Sequence, residues 1–196
     1  MISPNPTNLR SRVTQASWRG LAIACLAIPA AVLLTCGFAR AADTADVESR
    51  IEAAYIYNFA RFVEWPAVAM AGPLKIAILG HGDMATPLEE LTRGKSINGR
   101  AIEVRQLKAL TEADCCEILL IEHSELKHLK ELAEALADKP VLSVCDCATG
   151  LRDGAMIAFR VFDETIRFQI NQQAAEHAGL KISSQLLKVA VPVERH

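Results

Sequence analysis

The sequence predicts a single α/β domain: an open sheet, partly parallel, that ends in a C-terminal antiparallel hairpin and is flanked by helices. Three observations predict it. Short apolar runs alternate with helical segments through the middle of the chain, as in a sheet with a parallel portion and crossover helices. Two β-rich runs near the C-terminus are separated by only a short turn, the spacing of a hairpin. The 196 residues contain no internal repeat and no low-complexity tract, so a single core is expected.

The chain opens on a targeting pattern. Arg10, Arg12 and Arg19 precede an apolar run from Leu21 to Phe38, and Ala39-Arg40-Ala41 places small residues at cleavage-type positions. The reading is a signal peptide over residues 1–41 and a mature domain over 42–196. An uncleaved anchor is the alternative, because an 18-residue run can span a bilayer. Pro29, Gly37 and the Ala-rich composition favour cleavage, and Thr35 is a poor neighbour for a lipid-modified Cys36.

Asp43 or Asp46 can cap the first helix, which is expected to run to about Glu64, with Pro66 stopping it. Leu74–Leu79, between Gly72-Pro73 and Gly80, reads as a buried strand. A helix follows with Thr86 as N-cap and Pro87 in first position. Asn98-Gly99 marks a turn before a strand over Ala101–Leu107. Glu117–Glu122 is a third strand, Ser124 caps a helix through Ala137, and Val141–Val144 is a fourth strand. Met156–Val161 and Thr165–Ile170 form the hairpin across Phe162-Asp163-Glu164. Asn171 begins a helix that Gly179 ends, and Ser183 or Ser184 caps a last one through about Val189.

Charge excludes one class of partner. Of 21 Lys and Arg, four Arg lie within residues 1–41, leaving 17 basic against 23 acidic residues and a net charge of −6. An acidic domain without a basic run is a poor candidate for neutralising a phosphate backbone, so nucleic acid is not an expected partner.

Aromatic residues concentrate at one place. Tyr55, Tyr57, Phe59, Phe62 and Trp65 crowd the end of the first helix in a chain only 5% aromatic. Most of that stripe is expected to be core, but with Asn58, Arg61 and Glu64 inserted it is wider than one buried face needs. Tyr55, Tyr57, Asn58, Phe59, Phe62 and Trp65 are therefore the candidate partner-binding set, with Trp65 or Tyr57 expected at the surface.

Catalytic signatures are sparse. Gly80-His81-Gly82-Asp83-Met84-Ala85 matches G-x-G-x-x-A after a strand and before a helix, where backbone N–H groups can meet a phosphate. Yet the next strand ends in Arg105-Gln106-Leu107, with no acid for a ribose. A plain strand-to-helix turn is the stronger reading, and a small anionic ligand at Gly80, His81, Gly82 and Asp83 is the alternative. The histidines do not converge, and no H-E-x-x-H or G-x-S-x-G motif occurs. No enzyme, cofactor or metal is expected.

Four cysteines remain in the mature part: Cys115, Cys116, Cys145 and Cys147. An even number in an oxidising compartment makes disulfides the default, with three connectivities open. Bridging neighbours closes a small strained ring, and bridging the two pairs spans about 16 Å if their strands are parallel. Adjacent Cys and C-x-C are not the C-x2-4-C spacing of structural zinc, so a metal or redox protein is the weaker alternative.

Six segments in order resemble the YfiR family of periplasmic proteins. They are Ala54–Pro66, Leu74–Gly80, Gly94–Arg100, Gly154–Ile157, Arg167–Asn171 and Ala178–Leu187, within a span from about Glu52 to Ala190. The resemblance implies a non-enzymatic periplasmic repressor of a membrane-bound diguanylate cyclase, relieved by an OmpA-like outer-membrane lipoprotein. It also implies a homodimer and disulfides. A periplasmic small-molecule-binding module, with its ligand at the loops Gly80–Thr86 and Cys145–Gly154, is the competing reading.

Overall fold

A computed structural model describes residues 47–67 and 72–193. The expected signal peptide and the caps Asp43 and Asp46 lie outside the described residues. Five helices are described: α1 (47–62), α2 (Ala85–Thr92), α3 (Leu129–Leu136), α4 (Gln172–His177) and α5 (Ser184–Val189). The strands are β1 (Val63–Glu64), β2 (Leu74–Leu79), β3 (Ser96–Ile97), β4 (Arg100–Leu107), β5 (Ile118–Ile121), β6 (Leu142–Cys145), β7 (Ile157–Phe162), β8 (Thr165–Ile170) and β9 (Lys181–Ile182).

Seven of these strands form one sheet in the order β3-β4-β2-β5-β6-β7-β8. Strands β4, β2, β5, β6 and β7 run parallel, and β8 returns antiparallel to β7. The expected mixed α/β sheet with its C-terminal hairpin is therefore present. The central strands LKIAIL and ILLI are near-continuous apolar runs because both of their faces are covered. Ile76, Ile78, Ile118 and Leu120 face α1 and α2, meeting Ile56, Phe59 and Leu88. Ala77, Leu79, Leu119 and Ile121 face the other way, toward Leu129, Leu132 and Leu136 of α3. The hairpin turn is Asp163-Glu164 alone, both at positive φ (47° and 58°), which the twist of a two-residue β-turn demands.

Local boundaries depart from expectation at three points. The first helix stops at residue 62, not Glu64. Val63 and Glu64 leave it to pair with Ile182 and Lys181, and the Phe62 carbonyl accepts the Ser183 N–H at 2.9 Å. Helix α2 begins at Ala85 with Met84, not Thr86, in the cap position. Ser124 does not cap an α-helix: its Oγ accepts the His81 N–H at 3.0 Å, and a 3-10 helix over His123–His128 precedes α3. At the end of α1 and at Ser124 a distant hydrogen-bond partner took a group that local pattern assigned to the helix end.

Candidate functional site

Crossovers leave the sheet in opposite directions around β2: the chain goes first to β4 on one side, then to β5 on the other. In open α/β sheets a crevice at such a switch point, beyond the strand C-termini, is the usual ligand position. Here the Gly80–Asp83 loop follows β2 and Glu122 follows β5. Glu122, 6% exposed, turns its carboxylate into the loop. Its Oε2 accepts the Gly82 N–H at 2.6 Å and its Oε1 the Met84 N–H at 3.4 Å. A Cβ at Gly82 would lie 2.5 Å from that Oε1 and would push the carboxylate aside, while Gly80, at φ 136° and with a Cβ position 2.6 Å from the Glu122 Cβ, has room only for glycine. The side chain thus takes two of the N–H groups that an external anion would use. His81 and Asp83 are exposed beside it.

The aromatic end of α1 divides between core and surface. Phe59 is fully buried and meets Phe168 edge-on, with ring centroids 4.9 Å apart. Half-buried Tyr55 stands 5.1 Å from Phe168 and donates its hydroxyl to the Ile166 carbonyl at 3.3 Å. The expectation that Trp65 is surface-presented is corrected. Trp65 is 8% exposed and its Nε1–H donates to the Glu117 carbonyl at 3.1 Å. Because β1 leaves the helix line, Trp65 swings under the sheet end, where a buried indole N–H finds its acceptor. Tyr57, Asn58 and Phe62 remain half-buried. Two cations flank Tyr57: Lys95 Nζ lies 4.8 Å and the Arg61 guanidinium 5.9 Å from its ring centroid. Arg61 also stands 5.4 Å from Phe62.

The four cysteines fall at opposite ends of neighbouring strands. Cys145 pairs with Ile121, five residues along the chain from Cys116, an offset of about 16 Å. All four are free thiols in this structure. Cys116 is buried and donates to the Ala113 carbonyl at 3.3 Å; burial pushes its pKa up to about 12. Cys115 is exposed. Only the C-x-C pair is in mutual contact, with Cys145 and Cys147 Sγ atoms 2.7 Å apart. Hydrogen bonding between them favours the Cys147 thiolate and holds the Cys145 proton, so the former titrates low and the latter high. A Cβ on Gly150 would collide with the Cys145 sulfur, so the following turn is folded directly onto this pair. Among the described residues, no group of three or more His, Cys, Asp or Glu is arranged to hold a metal ion.

A cavity of about 650 Å³ opens beside the C-x-C turn. Glu48 and Glu52 of α1, His123, Asp146 and the strands of the hairpin line it. Glu52 is only 8% exposed, and burial, then Asp146 and Glu48, push its pKa up to about 8. Sequence reading passed over both Glu52 and Glu122. The signal for Glu52 was there: it shares a helical face with Ile56, Phe59 and Val63, all of which are buried. An acid in an apolar stripe is the informative exception.

The profile of the YfiR/HmsC-like family matches residues 49–191, which take in every described element except the first residues of α1. The chain belongs to the YfiR/HmsC-like family.

Proposed function

We propose that this protein is a non-enzymatic regulator of the cell envelope. After export and removal of residues 1–41 it binds the periplasmic sensor part of an inner-membrane diguanylate cyclase and holds it inactive, lowering cyclic di-GMP and biofilm formation. An OmpA-like outer-membrane lipoprotein relieves the repression by sequestering it, and the working unit is a homodimer. Family membership over residues 49–191 is the observation that carries this reading.

The physical logic is linkage. A repressor that binds one state of the cyclase shifts its population by the difference in affinity between the states. Tyr57 and Phe62, half-buried and crowned by Arg61 and Lys95, offer a rigid aromatic contact ringed by positive charge. Aromatic and Arg side chains are the residues in which interface energy concentrates. Such a patch suits an acidic partner surface within an overall acidic domain.

The test is genetic and physical together. Deleting the gene is expected to raise cyclic di-GMP and surface attachment, and the wild-type gene to restore both. Tyr57→Glu should keep its circular dichroism yet fail to complement. Unchanged cyclic di-GMP in the deletion strain would refute the repressor reading.

A further inference from the structure

The cavity beside the C-x-C turn combines an acidic floor with an apolar wall. From α1 come Glu48 and Glu52; from the chain after β5, His123; from the chain after β6, Asp146 and Cys147; from β7, Arg160. Phe159, Val161 and Ile166 of the hairpin, with Leu126, supply the apolar side. Glu52 is more than nine-tenths buried and makes no hydrogen bond or ion pair among the described residues. No fully enclosed side-chain oxygen among those residues lacks a hydrogen-bond partner. The Glu52 carboxyl must therefore be open to the cavity it lines.

No cation on the wall answers it. The Arg160 Nη1–H donates to Gln169 Oε1 at 3.2 Å, and its guanidinium lies 5.3 Å from the Phe162 ring. Neither Arg160 nor His123 comes within ion-pair distance of Glu48, Glu52 or Asp146. Burial raises the Asp146 pKa and the nearby His123 opposes that shift, but Glu52 has no such partner, and a carboxyl group withdrawn from water beside two other acids with no cation paired to it is costly to ionise. Its complement is a positive group brought from outside. The cavity volume lies in the range of small-molecule sites, and Phe159, Val161 and Ile166 match an apolar body attached to that charge.

We infer that this cavity is a binding site for a small amphipathic organic cation, its ammonium held by Glu52 with Glu48 and Asp146 and its apolar part against Phe159, Val161 and Ile166. The site is built from α1, the ends of β5 and β6, and the hairpin, so occupancy ties α1 to the sheet edge.

The probe is 2-phenylethylammonium, titrated calorimetrically into the mature protein, with 2-phenylethanol and phenylacetate as neutral and anionic matches. Only the ammonium compound is expected to bind at up to millimolar concentration. Glu52→Gln, an isosteric neutral change that preserves the fold, should weaken it at least about tenfold, the loss of one charge-assisted contact. Asp146→Asn should weaken it less. Because the bound ammonium favours ionised Glu52, binding near neutral pH should release a proton to the buffer. The apparent enthalpy will then follow the buffer's ionisation enthalpy in the wild type and not in Glu52→Gln. Equal binding of the alcohol, unaltered binding by Glu52→Gln, or no heat from the ammonium compound would each overturn the assignment.

Discussion

Replacing Glu122 by Ala tests whether the Gly80–Asp83 loop is organised by an internal anion. The carboxylate accepts one short hydrogen bond from Gly82 and one long one from Met84. A hydrogen bond to a charged group is worth about 1.5–3 kcal/mol, and the 3.4 Å bond counts at the low end. Removing both, and leaving two N–H groups in a partly enclosed loop, should cost about 2–4 kcal/mol. For a domain of this size each kcal/mol lowers Tm by about 2–4 °C, so Glu122→Ala should melt roughly 5–15 °C below wild type. Glu122→Gln keeps one acceptor and should lose about half of that. The vacated N–H groups then form an anion cradle at the sheet switch point. Phosphate should therefore raise the Tm of Glu122→Ala by more than it raises that of the wild type, the wild-type response measuring the general salt effect. Differential scanning fluorimetry across a phosphate series reads all of this. A Glu122→Ala protein that melts with the wild type would refute the reasoning. An equal phosphate response in both proteins would show that the loop gains no anion site.

Glu52 makes stability depend on pH with a definite sign. Its folded pKa, pushed up to about 8, exceeds the ordinary value of 4.5, so the native state holds the proton more tightly than the unfolded chain. Stability is then full below pH 4.5 and falls as pH rises toward 8, by up to roughly 4–5 kcal/mol from this group. Urea melts should find Glu52→Gln gaining on wild type steadily between those limits; a constant difference would refute the assignment. The α1 aromatics should separate by side chain: Trp65→Glu buries a charge and should unfold the domain, whereas Tyr57→Glu should leave the far-ultraviolet dichroism intact. Sedimentation is expected to show a dimer for wild type and weaker association for Tyr57→Glu. Under oxidising conditions, alkylation and mass spectrometry of the mature protein should find fewer than four free thiols, with any bridge joining Cys145 to Cys147; a Cys116–Cys145 bridge would contradict the strand register. Intact mass of the envelope-fraction protein should place the N-terminus at or near Ala42, and a full-length membrane-bound species would refute cleavage.

What the sequence determined by itself was whatever rests on short-range pattern. The runs LKIAIL and TIRFQI are β2 and β8 as read, because apolar stretches bounded by Gly, Pro or a tight turn have few other ways to bury themselves. Asn171 and Ser183 cap their helices as expected, their side chains accepting the Ala174 and Leu186 N–H groups at 3.0 and 3.3 Å. The turn after β2 was legible too, as a Gly80–Asp83 loop between a strand and a helix. Only tertiary structure decided what occupies that loop. Glu122 lies 40 residues from the Gly82 it binds, and nothing local distinguishes an acid that fills a glycine loop from one that faces water. Trp65 is buried because β9, more than a hundred residues later, draws Val63 and Glu64 out of the helix. Glu52 is unpaired among the described residues because four segments distant in sequence close around it without bringing Arg160 or His123 within ion-pair distance of its carboxyl. Hydrophobic periodicity reports whether a residue has an inside and an outside; which groups share that inside depends on chain crossings that no local window contains.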